Sequence, residues 1–364
     1  MHKYTDNTDK EEEMGTRARR QTMRKIRKWE PDRKWLKIST IDLHTEGEPF
    51  RVVIEGFPDL LGDTILARRR YAKENFDHLR TALIWEPRGH ADMYGCIITP
   101  PVTAGADIGV LFMHNEGFST MCGHGIIGLA TVAVQAGWVR AKEPETTLKI
   151  DTPAGLVTAR ARVSSQKVKN VCFQNVPSFV LASNETVHLL GLGNVKYDLA
   201  FGGAFYAYIK ADELGLKCTP GEFHTLIEKG MSLKRAIIES RPILHPFEKD
   251  LSFLYGIIFI ASSSRADYRN VCVFAEGEVD RSPTGTGVSG LLAILQAQGK
   301  AALQQPITVE SVIGSRFTGR IVETTTFGPY KAVIPEVEGS AYITGRHEFL
   351  IDPDDPLRRG FILR

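Results

Sequence analysis

No C-x-x-C pair occurs in this chain, and its five cysteines, at 96, 122, 172, 218 and 272, are odd in number and widely spaced. That pattern argues against a disulfide framework and against a zinc ribbon, and it reads as reduced thiols in a cytoplasmic protein. An excess of one charge sign is missing too, with 45 Lys and Arg against 43 Asp and Glu. Without a global field, no nucleic acid and no membrane surface is expected as a partner. The longest apolar runs are too short to span a bilayer. There is no G-x-x-x-x-G-K-[ST] loop and no strand-borne G-x-G-x-x-G, so the usual nucleotide cradles are not expected. Residues 1–35 are poor in aliphatics and carry no apolar signal core, and they are expected to form a disordered polar tail.

What remains is a chain of 364 residues, 43% hydrophobic and 24% charged, long enough for two domains with sizeable cores. It is organised around Met121-Cys122-Gly123-His124-Gly125 and the apolar run that follows to Gly137. A helix apolar on every side belongs inside a domain, so its free N–H groups and positive end should point at whatever Cys122 faces. Such a helix start binds an anion and is expected to lower the Cys122 thiol pKa.

The construction recurs. An offset of 162 residues carries Cys122, Gly123, Gly125, Gly128 and Gly137 onto Thr284, Gly285, Gly287, Gly290 and Gly299 without a gap. Leu148–Gly155 likewise resembles 307–314. Two copies of one unit are therefore expected, with two helix N-termini converging on one small anion and Cys122 and Thr284 on opposite sides of it.

Many short strands and few long helices argue an α+β fold rather than a parallel α/β one. Alternation predicts strands at 36–43, 50–54, 148–151, 156–163, 168–173, 197–208, 256–261 and 270–275, and further strands from 341 to 351. Residues 75–85 read as the end of a helix running into a strand, and 223–240 as a helix. The expected division is 36–184 with 346–364 as the first half, carrying the Cys122 helix, and 185–345 as the second, carrying the Thr284 helix. The loop from Glu86 to Gly95 is crowded with polar and aromatic groups. Arg68, Arg69 and Arg70 read as a solvated face.

Among the candidate residues Cys122 carries the sharpest signal, because a Gly-rich turn at a helix start is where a thiol is activated. His124 beside it could bind substrate. A metal on Cys122 and His124 is not expected, since no second Cys/His cluster stands at zinc spacing. Thr284 has no evident base and is discounted as a nucleophile. Asp280, four residues before it, could reach a cationic group. Cys96, Cys172, Cys218 and Cys272 read as packing residues.

With these stretches in view, the chain resembles the proline racemase family, in its trans-3-hydroxy-L-proline dehydratase branch. The residues that carry the likeness are His44–Pro49, Glu86–His90, Met121–Gly125, Phe201–Tyr206, Asp280–Gly287 and Asp352–Leu357. The resemblance implies two pseudo-symmetric halves of the diaminopimelate-epimerase type, each a curled, mostly antiparallel sheet around a central helix. Racemases of this family carry a cysteine at both helix starts. Here the second is Thr284, whose hydroxyl is too weakly acidic for that part. The implied activity is cofactor-independent dehydration of trans-3-hydroxy-L-proline to Δ1-pyrroline-2-carboxylate, with Cys122 as the α-proton base. The backbone of Gly123, His124, Gly285 and Thr286 would hold the carboxylate. By the same resemblance His124 and Asp280 contact the ring nitrogen, Tyr94 and Phe274 wall the pocket, and the protein is a homodimer. Two alternatives stay open: a proline or hydroxyproline epimerase, and a non-catalytic binder of small imino acids.

Overall fold

The computed structural model describes residues 16, 17, 19, 20, 22–25 and 29–363. Within the polar tail, the described residues from 16 to 25 are helical and exposed, and the expectation for 1–15 lies outside the described residues.

Period-two alternation produces strands almost everywhere the sequence predicts them. The first half runs β1 (Leu36–Thr45), β2 (Glu48–Glu55), α1 (Ile65–Asn75), α2 (Asp77–Ile84), β3 (Tyr94–Thr99), β4 (Ile108–His114) and β5 (Gly117–Phe118). It continues with α3 (Gly123–Gln135), β6 (Glu145–Thr152), β7 (Gly155–Ser164) and β8 (Lys167–Gln174). After β9 (Ser178–Leu189) come β10 (Gly193–Phe201), β11 (Phe205–Lys210), α4 (Phe223–Ser240), β12 (Leu254–Ala261), β13 (Tyr268–Phe274) and β14 (Glu278–Val279). The chain closes with α5 (Gly285–Ala297), β15 (Ile307–Glu310), β16 (Arg316–Phe327), β17 (Tyr330–Gly339) and β18 (Ala341–Ile351).

The repeat read from the sequence holds in space, since the same 162-residue offset carries α3 onto α5 end to end. Strand pairing repeats with it. In the first half β2–β3 and β4–β6 are parallel and the other neighbours antiparallel; in the second, β11–β12 and β13–β15 take those places. This is the α+β, mostly antiparallel architecture expected. The halves join where β8 pairs with β17. Each final strand crosses over: β9 pairs with β10 and β17, and β18 pairs with β1. Because β9 runs unbroken through residue 185 and β18 through 346, we propose moving the division ahead of both strands, to 36–177 with 341–363 and 178–340.

The two central helices are the core. Every residue of α3 from Gly123 to Val134, and of α5 from Gly285 to Leu295, is buried. Such helices have no wet face, so their polar ends must be satisfied by the site between them. Gly123 and Gly285 make the helix starts touch. A Cβ on Gly123 would stand 2.6 Å from Gly285 Cα, and one on Gly285 would stand 2.8 Å from Gly123 Cα. Phe173 backs both glycines from the side. The Gly202-Gly203 pair after β10 packs on the first turn of α5, where a Cβ on Gly202 would collide with the Thr286 carbonyl.

Two local expectations are corrected. Residues 77–84 form a helix and not a strand, with Leu79, Ala82, Leu83 and Ile84 buried at helical spacing on a smaller apolar cluster. Of the arginines expected to form a solvated face, Arg70 is exposed but Arg68 and Arg69 are half-buried. Arg68 donates to the carbonyls of Gly62 and Pro100, Arg69 to the carbonyl of Phe118, and Arg70 pairs with Asp250 of the other half at 2.8 Å. Backbone carbonyls recruit the guanidinium groups of Arg68 and Arg69. Among the described residues no helix is long and apolar enough to cross a membrane.

The contact between helix starts sets a prediction. Gly285→Ala should cost about 1–3 kcal/mol by overpacking, read as a lower denaturation midpoint. Gly123→Ala should cost a similar amount. The double variant should cost less than the two together, because one displacement accommodates both methyl groups. Strict additivity in chemical denaturation would show that the two glycines do not share a contact.

Candidate active site

Between the helix starts lies a small cavity of about 20 Å³. Its lining includes Tyr94, Cys122, Gly123, His124, Phe274, Asp280, Thr284, Gly285 and Thr286, so the structure gathers all nine candidate residues at one place. Met121, Tyr206, Tyr255 and Cys272 complete the wall.

Each helix start is built differently. Cys122 is the N-cap of α3 in an extended conformation, and its Sγ accepts the Gly125 N–H at 3.2 Å. The sulfur stands 3.3 Å from His124 Nδ1. Thr284 precedes α5 with φ 65° and ψ 95°, makes no side-chain cap, and leaves its buried Oγ1 without a hydrogen-bond partner. Positive φ on a β-branched residue is costly, on the order of 1–3 kcal/mol, and such strain collects at functional positions. The pseudo-symmetry of the fold thus breaks at the pair of residues that face the cavity.

Supporting groups hold the walls. Thr45 donates to the His124 carbonyl at 2.9 Å. Asp280 accepts the Ser282 N–H at 2.7 Å, and its Oδ2 lies 3.9 Å from His124 Nδ1. Tyr206 shares a hydrogen bond with Thr286 Oγ1 at 2.7 Å. Tyr94 donates to Ser119 Oγ, and its ring meets His124 edge-on with centroids 4.8 Å apart. Glu48, fully buried, accepts the Arg281 N–H at 2.6 Å, and Arg281 in turn pairs with Asp92 at 2.7 Å. From the loop at 86–95 only Tyr94 reaches the cavity. Arg88 instead bonds the carbonyls of Leu350 and Arg358, tying that loop to the C-terminal segment.

The electrostatics overturn one expectation. Burial pushes the Cys122 thiol well above its ordinary pKa, and the Gly125 N–H offsets this only in part, while Asp280 and Glu48 push it further up. The thiol expected to be activated by the helix start alone is therefore protonated, because desolvation and two carboxyl groups oppose the dipole. His124 is pushed down to about 4, first by burial, so it is neutral at pH 7. Burial likewise raises the Glu48 carboxyl, with Asp280 adding to the shift. Among the described residues no cluster of three or more His, Cys, Asp or Glu could hold a metal ion.

Cys272 is the residue the sequence reading passed over. It lies on β13 two positions before Phe274, and in a strand that spacing puts both side chains on one face. The signal was present once Phe274 was placed in the wall. Tyr255 had no such signal, since only its neighbour Gly256 pairs across to Phe274.

The proline racemase sequence pattern matches residues 40–362. A trans-3-hydroxy-L-proline dehydratase of Colwellia psychrerythraea is 47% identical over 345 residues, 93% of this chain and 97% of that one. One of Azospirillum brasilense is 44% identical over 330 residues, 90% and 98% of the two chains. A 3-hydroxyproline 2-epimerase of Burkholderia multivorans is also 44% identical, over 329 residues with the same coverage. Among solved structures, a hydroxyproline epimerase of Agrobacterium vitis with bound trans-4-hydroxy-L-proline superposes with a TM-score of 0.87 at 32% identity, covering 91% of this chain and 96% of that one.

The raised thiol has a direct readout. Because the protonated form persists through neutral pH, alkylation of Cys122 by iodoacetamide should be slow at pH 7. It should climb about tenfold per pH unit into the alkaline range, followed peptide by peptide by mass spectrometry. A rate already at its plateau at pH 7 would mean a resting thiolate and contradict the burial argument.

Proposed function

Because the chain belongs to the proline racemase family, we propose that it dehydrates trans-3-hydroxy-L-proline to Δ1-pyrroline-2-carboxylate, with Cys122 as the base. The observation that carries this reading is the unlike pair at the helix starts, a thiol at 122 and a strained threonine at 284.

In the trans-3 substrate the hydroxyl is trans to the carboxylate and so lies on the ring face that carries the α-hydrogen. One thiolate on that face can remove the α-proton. The thiol so formed can then protonate the departing hydroxyl, a syn elimination that needs no second thiol. The enamine released tautomerises to the cyclic imine. The substrate carboxylate sits against the N–H groups of Gly123, His124, Gly285 and Thr286, which open the two helices and have no partner within them. These donors also stabilise charge that develops as the α-carbon loses its proton.

Neutral His124 and the Asp280 carboxylate face the ring nitrogen, where a cation offsets the charge of Asp280 next to the base. That neutralisation assists thiolate formation at Cys122, which Asp280 otherwise opposes. Tyr94 and Phe274 exclude water from the ring. Every step uses side chains and backbone groups, so no cofactor enters the scheme. By family resemblance the reading extends to a homodimer, and five free cysteines among the described residues support a cytoplasmic setting.

An epimerase reading draws on Cys272, a second thiol that lines the cavity together with Thr284. Product analysis separates the two. Incubation with trans-3-hydroxy-L-proline should yield the imine, trapped with o-aminobenzaldehyde, and no cis-3-hydroxy-D-proline; the epimer as main product would overturn the dehydratase. Cys122→Ser should abolish turnover, while pyrrole-2-carboxylate still binds to the surviving backbone cradle.

Thr284 gives the sharper test. Wild-type protein should neither racemise L-proline nor exchange its α-hydrogen in heavy water from the D-side. Thr284→Cys supplies a thiol at the second helix start and should introduce measurable racemisation, with weaker dehydration. Racemisation by the wild type would favour the epimerase.

A further inference from the structure

The cavity of about 20 Å³ at the helix starts is far smaller than an imino acid of nine heavy atoms, so a wall must move to admit one. A second cavity, of about 650 Å³, lies next to it. The two share one lining residue, Tyr255. Its ring is 6% exposed and stacks on Phe274 with centroids 5.3 Å apart and planes at 14°. Its hydroxyl lies 3.1 Å from the hydroxyl of Tyr94. Tyr94 belongs to β3 of the first half and Tyr255 to β12 of the second, so this hydrogen bond spans the seam between them.

The larger cavity has a lining of both signs. Arg69, Lys73 and Lys234 stand on it with Glu74, Glu116 and Glu276. Lys234 is anchored by donating to the Ala275 carbonyl at 2.6 Å, and Arg69 by donating to the Phe118 carbonyl at 2.9 Å. Two cations are thus fixed in place by backbone groups at the side of Tyr255. A surface of one sign would repel one end of a zwitterion, whereas a mixed surface accommodates both its carboxylate and its ammonium group.

We propose that this outer cavity is the admission site for the zwitterionic imino acid, and that Tyr255 is the door between it and Cys122. The inference rests on the function proposed above for the substrate class. The ring of Tyr255 closes the passage, and its bond to Tyr94 latches the door. Swinging the ring away breaks one hydrogen bond, the stack on Phe274 and edge contacts with His114, Tyr206 and Phe253, and no backbone pairing. The same passage lets out the water formed in the elimination.

The test measures binding rates, so its outcome does not depend on whether turnover is dehydration. Pyrrole-2-carboxylate is mixed with the full-length protein in a stopped-flow instrument and followed by intrinsic fluorescence. Tyr255→Phe keeps the ring and removes the latch. Association and dissociation should both accelerate, each by about five-fold if one ordinary hydrogen bond is lost, with Kd nearly unchanged. Lys73→Glu, at the rim, should slow association at low ionic strength, lose that effect in high salt, and leave dissociation alone. If Tyr255→Phe leaves both rates at wild-type values, or raises dissociation alone, Tyr255 is not the door. If Lys73→Glu leaves association unchanged at low salt, the outer cavity is not the admission site. An active dehydratase with either result would overturn the inference and leave the reaction assignment standing.

Discussion

The constraint on which the site depends is the contact of Gly123 with Gly285, where two buried helices meet head to head with room for no side chain between them. Two positive helix ends repel one another, so the arrangement stores an unfavourable interaction that an anion relieves. A carboxylate placed there meets four backbone donors and two dipoles at once. The rest of the fold follows from holding that geometry. Each helix is wrapped by its own curled sheet, the sheets are joined at β8 and β17, and each half gives its last strand to the other half's first. Crossing over both terminal strands resists separation of the halves better than a single hinge would, while across the seam Tyr94 meets Tyr255 and Arg70 meets Asp250 through side chains.

Burial explains how the pocket could hold the proposed base idle until substrate arrives. Desolvation and the carboxyl groups of Asp280 and Glu48 keep the Cys122 thiol protonated, and neutral His124 offers no charge to counter them. In the proposed reaction a zwitterion would change that balance, its ring ammonium neutralising Asp280. Activation by the helix start, expected from sequence, is thus one contribution among several and not the largest. Spacing along a chain reports which residues flank a thiol, but it does not report which carboxyl groups the fold brings in from elsewhere.

Much of the architecture was legible in the residues. The offset that carries Cys122 onto Thr284 also carries helix onto helix and strand onto strand, because a repeat of structure must keep its glycines where backbones touch. Alternation located most strands. It failed at 77–84, where a short apolar run has no period long enough to separate helix from strand, and at the arginines 68 and 69. Arg68 and Arg69 looked solvated because two of the carbonyls they bond, those of Pro100 and Phe118, lie far away in sequence. The site was legible wherever it lay on the motifs around 122 and 284. It was not legible at Tyr255, which reaches the cavity only through the pairing of β12 with β13.

The departure from pseudo-symmetry bears on chemistry more than any conserved feature of the frame. Two equivalent helix starts with equivalent acids would favour taking a proton from one face and returning it on the other. Here the frame remains two-fold while the functional pair does not. Cys122 is relaxed, extended and capped, whereas Thr284 is held at positive φ with its hydroxyl unpartnered. A strained residue persists only where its surroundings over-determine it, and Gly287, whose added Cβ would stand 3.1 Å from Thr284 Cγ2, leaves the space that the turn requires. Its free hydroxyl can still donate one hydrogen bond, to a ring substituent or to the carboxylate, but it cannot act as a base near neutral pH. Elimination needs acid and base on one face only, so an inversion scaffold that loses one thiol keeps what a syn dehydration uses.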